Sequence, residues 1–151
     1  MLDAQNSDPV FSGEFARAVD PKNRISVPAK WLQSEADEFY LVVDRTKSCL
    51  KAMPPAEFKA VAAKLEANPN VSARDLAIFL RHFYSQARQV NADKQGRMVL
   101  PPELCELLNL KGEIMLIGAQ RIFEFWNKEA WQSTQVSEAD TVNRLADLAG
   151  L

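Results

Sequence analysis

The sequence predicts an α+β fold, mainly β with helices, in which two tandem copies of one strand-rich unit pair into a single β-barrel. Three observations carry this. The pattern D-x-x-x-R-x-x-[VL]-P occurs twice, as DPKNRISVP at 20–28 and DKQGRMVLP at 93–101, offset by 73 positions. The flanking apolar runs recur around both copies in the same order. Longer helical periodicities lie between the copies and at the C-terminus.

Each unit opens on a short strand, EFARAV and later ARQVNA. A turn follows, Asp20–Asn23 and Asp93–Gly96. Gly96 suits a positive φ, Asn23 is the next-best residue for it, and Pro21 suits the second turn position. A strand follows, Arg24–Val27 and Arg97–Leu100. Proline ends it and starts a short helix, near 29–34 and 102–109. The segment 28–44 parallels 101–119 with two extra residues in the second copy, and 50–58 parallels 123–131 at offset 73. These segments hold the last two strands, FYLVV or IMLIG, then CLKAM or IFEFW. Four strands cannot bury both faces alone, so the copies are expected to pair.

Between the copies, Phe58, Val61, Ala62 and Leu65 follow a helical stripe begun at Pro55 and stopped at NPN. A second stripe, Leu76, Phe79, Leu80 and Phe83, starts at Ser72 with Asp75 three residues on, a capping-box spacing. By periodicity alone it runs to Val90, but the repeat assigns 87–92 to a strand. A third helix is expected at 138–149, capped by Ser137 and closed by Gly150. The layout is then a disordered extension at 1–10, repeat 1 at 11–60, inter-repeat helices at 61–85, repeat 2 at 86–132 and a helical tail at 133–151.

The chain has 151 residues, 47% hydrophobic and 25% charged, with a formal net charge of −2. That balance gives no whole-chain basic signal, but local charge differs. Residues 14–32 carry four basic residues against two acids, and 86–103 three against two, while 137–151 carries three acids against Arg144. No run is long enough to span a bilayer, and MLDAQNSDPV lacks the apolar stretch of a signal peptide, so a cytoplasmic location is expected. Cys49 and Cys105 lack disulfide or metal-ligand spacing and read as buried thiols. No metal, cofactor or small-molecule substrate is indicated.

Strand period two places Ile25 and Val27 on one face and Arg24 and Ser26 on the other, and likewise turns Met98 and Leu100 away from Arg97. Each arginine thus faces outward at a hairpin base. The Asp four residues earlier can accept from turn N–H groups or from the guanidinium, fixing the Arg rotamer before binding. An arginine fork matches guanine O6 and N7 in the major groove, and a two-stranded ribbon fits that groove. Arg17, Lys22, Lys30, Arg88 and Lys94 are candidate phosphate contacts, which position without specifying sequence.

In FSGEFARAVDPKNRISVPAKW, DKQGRMVLPPEL, LIG and FEFWNKEAW the chain resembles the MraZ family of bacterial transcription regulators, over about residues 11–132. The resemblance implies two tandem halves of a SpoVT-AbrB swapped-hairpin barrel, with a helical hairpin between them. It implies a cytoplasmic, nucleoid-associated regulator, usually a repressor, that binds double-stranded DNA at promoter direct repeats upstream of the division and cell-wall gene cluster. It also implies closed homo-oligomeric rings, and DNA contact through Asp20, Arg24, Asp93 and Arg97. Two residues depart from the family pattern: Asn23 where Gly is general, and Ser12 where a basic residue is common.

Two other readings stand beside this one. An AbrB-like interaction scaffold or antitoxin-type module would use the helices and tail to grip a partner. A hydrolase would use Asp20 and Asp93 as a carboxylate dyad, although each has an arginine positioned to keep it ionised. His82, the sole histidine, reads as structural or exposed, and Trp31, Trp126 and Trp131 as core or subunit interface.

Overall fold

A computed structural model describes residues 10–34 and 36–151; most of the expected N-terminal extension lies outside them. Eight strands appear: β1 (Glu14–Ala18), β2 (Arg24–Ser26), β3 (Glu38–Val43), β4 (Leu50–Met53), β5 (Arg88–Asn91), β6 (Arg97–Val99), β7 (Glu113–Ala119) and β8 (Ile122–Asn127). The helices are α1 (Pro55–Glu66), α2 (Ala73–Gln86), α3 (Pro102–Leu108), α4 (Lys128–Ser137) and α5 (Ala139–Leu148).

All ladders are antiparallel, and the halves interlock. The main sheet has the order β1-β7-β8-β4-β3-β5, and β2 pairs only with β6. Each half therefore lends its first strand to the other half's hairpin: β1 lies on β7 and β5 on β3. A local two-fold relates them. It passes through the pairs Ile25↔Met98 and Lys51↔Glu124, whose members are repeat equivalents at offset 73.

The α+β class and the two paired halves are as expected, but the barrel does not close. Edge strands β1 and β5 share no ladder, and the β2–β6 ribbon covers the open side. The turns explain this. Asn23 and Gly96 donate back to the Asp20 and Asp93 carbonyls at 2.9 Å, and both adopt positive φ, 60° and 77°. The chain thus leaves the sheet after β1 and β5. Pro28 and Pro101 then end the ribbon one bond past β2 and β6, because proline has no N–H to extend a ladder.

The core sits between sheet and ribbon. Ile25, Val27, Met98 and Leu100 point into it as strand parity requires, against Leu41, Leu50, Ile114 and Leu116. Phe11, Trp31, Phe39 and Phe123 meet edge-on or tilted, with centroids 4.9–6.3 Å apart. Offset or edge-on ring contacts suit the ring quadrupoles.

Helix termini follow the turn chemistry in part. Ser72 Oγ accepts from Asp75 N at 3.0 Å, and α2 stops at Gln86, so the repeat rather than the helical stripe decides 87–92. The first short helix shrinks to a 3-10 turn, Ala29–Trp31, because Leu32 returns to extended backbone. The two extra residues of the second copy instead complete α3. Ser137 does not cap the last helix. It ends α4, where its hydroxyl donates to the Thr134 carbonyl at 3.1 Å, and Glu138 leads into α5 without a side-chain cap. Helix α4 is an addition to the helices that the sequence pattern predicts. Its cap is Asn127, whose Oδ1 accepts from Ala130 N at 2.9 Å, and Lys128 stands where Pro55 starts α1.

Candidate nucleic-acid interface

The two repeated motifs do not form separate reading hairpins. They meet on one ribbon, because β2 takes β6 as its partner instead of folding back on β1. The register sets Arg24 opposite Val99 and Ser26 opposite Arg97. These four side chains share the face away from the core. The arginines are diagonal neighbours, about 7–8 Å apart on an antiparallel ribbon.

Each arginine is held by its own Asp in the same way. Asp20 Oδ1 accepts from the backbone N–H groups of Lys22 and Arg24 at 2.9 and 2.8 Å, and Oδ2 accepts from Arg24 Nε at 2.7 Å. Asp93 Oδ1 accepts from Gln95 and Arg97 N at 2.9 Å each, and Oδ2 from Arg97 Nε at 3.1 Å. Only Nε is used: among the described residues, no hydrogen bond engages the Nη groups of either arginine. The clamp thus fixes the rotamer and leaves the planar fork pointing outward, where two parallel bonds to a base edge or a phosphate can form.

The electrostatics agree. The backbone N–H of Arg24 foremost, and then its guanidinium, hold the Asp20 carboxyl below the usual aspartate value of 3.8. The backbone N–H of Arg97 does the same for Asp93. A carboxylate dyad needs one partner raised so that the pair can share a proton. Both are lowered, and each is paired with its own arginine rather than raised by a second carboxylate. Burial raises the Cys49 and Cys105 thiols, which disfavours the nucleophilic thiolate. Among the described residues no group of three His, Cys, Asp or Glu side chains could hold a metal, and no helix is long and apolar enough to cross a membrane.

The other basic residues divide. Lys22 and Lys94 are exposed in the two turns beside the arginines. Arg17 and Lys30 gather over the Phe15 ring, 5.3 and 5.0 Å from its centroid, in cation–π contact. Arg88 turns away from the ribbon: its Nη1 donates to the Ser85, Gln86 and Ala87 carbonyls at the end of α2, and its Nε pairs with Glu103 at 3.6 Å. It closes a helix, where a positive charge is favoured. His82 is exposed on α2; Trp31 and Trp126 are buried, and Trp131 packs against Trp126.

Sequence reasoning missed Val99 as part of this face, and placed Ser26 there without a role. Parity along β6 carried the signal for Val99. That the two copies share one face required knowledge of which strands pair.

A family model described as "MraZ protein, putative antitoxin-like" matches residues 10–80 and 83–148. Proteins named transcriptional regulator MraZ align along most of the chain. That of Clostridium acetobutylicum is 36% identical over 138 residues, covering 91% of this chain and 95% of the relative. That of Clostridium beijerinckii is 37% identical over 131 residues, covering 87% and 91%. That of Limosilactobacillus fermentum is 35% identical over 139 residues, covering 91% and 94%. With the model matching across both repeats and the relatives aligned nearly end to end, this chain belongs to the MraZ family of transcriptional regulators.

Proposed function

We propose that this chain binds double-stranded DNA with the outward face of the β2–β6 ribbon. It acts there as a repressor at promoter direct repeats of the division and cell-wall gene cluster, the target that the family resemblance implies, and so works at the nucleoid. The observation that carries the reading is the pair of Asp-clamped guanidinium forks on one ribbon. Arg24 and Arg97 would contact guanine edges, with Lys22 and Lys94 on the flanking phosphates. Asp20 and Asp93 are positioning residues. Arg17 and Lys30 sit one side of the ribbon as secondary phosphate contacts.

One ribbon with so modest a local charge excess binds weakly on its own, so the proposal includes a closed homo-oligomeric ring that presents one ribbon per subunit. Exposed apolar surface on the helices supports it. Ile78, Phe79 and Tyr84 on α2 and Val142, Leu145 and Leu148 on α5 face solvent. Val61, Leu65, Val71, Leu76 and Phe79 line an apolar groove of about 480 Å³ between α1 and α2. A heterologous contact repeated around an axis closes into a ring. Neighbouring ribbons then face the same way and meet direct repeats spaced about one turn, roughly 10–10.5 bp, apart.

The test is titration of Arg24→Ala and Arg97→Ala against a selected duplex at one fixed salt concentration, with assembly followed by light scattering. Each is expected to cost about 1–3 kcal/mol per engaged site with assembly unchanged, and lysine is not expected to rescue either. Wild-type affinity in the assembled double variant would sink the assignment.

A further inference from the structure

The ribbon's local two-fold exchanges Arg24 with Arg97, which are chemically identical. It also exchanges Ser26 with Val99, which are not. A face carrying only the two arginines reads a base step equally well after the DNA is turned end for end. Among the four outward side chains of the ribbon strands, Ser26 and Val99 break the symmetry; in the turns it is broken too, at Lys22/Gln95 and Pro21/Lys94, but phosphate contacts position without specifying sequence.

Nothing in the fold requires that difference. Val99 is 53% exposed and lies outside the core, which takes its neighbours Met98 and Leu100. Ser26 is exposed too, between buried Ile25 and Val27. Valine suits a strand, but serine holds the equivalent place in the partner strand, so the ladder does not demand a β-branched residue. Directly opposite residues of an antiparallel ribbon have β-carbons about 4.5–5.5 Å apart. Successive base pairs are about 3.4 Å apart. A base beside the one that Arg24 reads is therefore within reach of Val99, and a base beside the one that Arg97 reads is within reach of Ser26.

We infer that Val99 and Ser26 give the ribbon a direction on DNA: Val99 packs on the C5-methyl of a thymine next to the guanine read by Arg24, while Ser26 hydrogen-bonds a base edge at the equivalent step of the other half. This rests on the DNA reading proposed above. The chemistry is that of the major groove, where only thymine presents a methyl and a hydroxyl pairs with either donors or acceptors. A directed face lets neighbouring subunits favour head-to-tail sites, because turning one site end for end would set Val99 against a polar base edge and Ser26 against a methyl.

The experiment selects duplexes from a random pool with the full-length wild type, Val99→Ser and Ser26→Val. Enriched duplexes are then remade with deoxyuridine at single thymines, which removes only the methyl. Wild type is expected to enrich an asymmetric core containing one thymine at which deoxyuridine weakens binding about three- to tenfold, the worth of one buried methyl. Val99→Ser should be indifferent to that change and should enrich a core symmetric about its centre. Ser26→Val should acquire a second methyl-sensitive thymine. Val99→Thr, which keeps the β-branched shape, should retain part of the sensitivity, and thermal melting verifies that each variant folds. An asymmetric core retained by Val99→Ser, or no methyl-sensitive thymine in wild type, overturns the inference while leaving DNA binding by the arginines standing. If wild type enriches no duplex at all, the DNA reading itself fails, and this inference with it.

Discussion

The two halves of this chain are the same device in different settings, and the difference shows what the repeat was free to change. The turns, the clamps and the ribbon strands coincide at offset 73. The chain leading into each copy does not. Phe11 is extended and bridges Gln120, whereas its repeat equivalent, Tyr84, lies in α2 and packs on Phe58. The outer face of each hairpin is covered by the helix that follows it. Phe58 of α1 stacks on Tyr40, with centroids 4.1 Å apart and planes within 3°. Trp131 of α4, its equivalent, packs on Trp126 instead and donates from Nε1 to Glu14 at 2.9 Å. Positions that hold backbone geometry are kept in both halves. Positions that meet the helices have diverged, because each helix presents a different surface.

The largest expected effect tests that helix contact. Phe58→Ala should destabilise the fold by about 3–5 kcal/mol, since Phe58 is 3% exposed and loses Tyr40, Phe83 and Tyr84 as neighbours. Trp131→Ala should cost less, about 1–3 kcal/mol, because its ring is only partly buried. Denaturant unfolding of both variants decides it, and equal losses would mean that the two helices are docked equally firmly.

Gly118→Ala comes next. A β-carbon there would lie 2.6 Å from the Phe11 carbonyl carbon and the Ser12 nitrogen, backbone atoms that cannot turn aside. The equivalent place in the first hairpin is Val43, where no bridging strand approaches. A loss of about 1–3 kcal/mol is expected, with Phe11 released from Gln120. Hydrogen exchange at the Gln120 amide is the check: an unchanged rate would show that the bridge survives.

The clamps predict an acid dependence shared by the halves. A carboxyl whose pKa is depressed in the folded state stabilises that state above its unfolded pKa, and the contribution is lost as pH falls through the lower folded value. Asp20 and Asp93 both lie below 3.8 when folded. Their contribution should therefore be complete at pH 5–7 and fade only below about 4. Unfolding midpoints measured from pH 6 to pH 3 should fall less steeply in the Asp20→Asn, Asp93→Asn double variant than in wild type. An acid limb of the same slope would place the titrating groups elsewhere.

The smallest effect comes from exchanging the turn residues. Asn23→Gly and Gly96→Asn should each change stability by no more than about 1 kcal/mol, because asparagine tolerates the left-handed region and glycine enters it freely. A β-carbon on Gly96 would meet the movable end of Leu32 at 3.2 Å and the Val27 carbonyl oxygen at an ordinary 3.7 Å. Thermal melting would show whether either turn is more tightly specified than its backbone angles imply.

The sequence by itself determines the local chemistry: the order of the strands, the positive-φ turns at Asn23 and Gly96, the Ser72 cap, the outward parity of Arg24 and Arg97, and the Asp beside each. These depend on residues within a few positions of one another, where side-chain period, proline and turn propensity act directly. The repeat also settles a case that periodicity misjudges, the end of α2 before Ala87. What the tertiary structure alone decides is which strand lies beside which. Whether β2 folds back on β1 or crosses to β6 leaves every side chain on the same face, so the pattern of apolar residues is the same for both. The open barrel, the meeting of the two arginines on one ribbon and the exposure of Val99 beside them follow from that choice. So does the engagement of Arg88 with the end of α2, where its place on β5 sets it. The choice turns on burying Ile25 against Met98 across 73 residues of chain. That contact exists only once both halves are folded together, and no local window of sequence contains it.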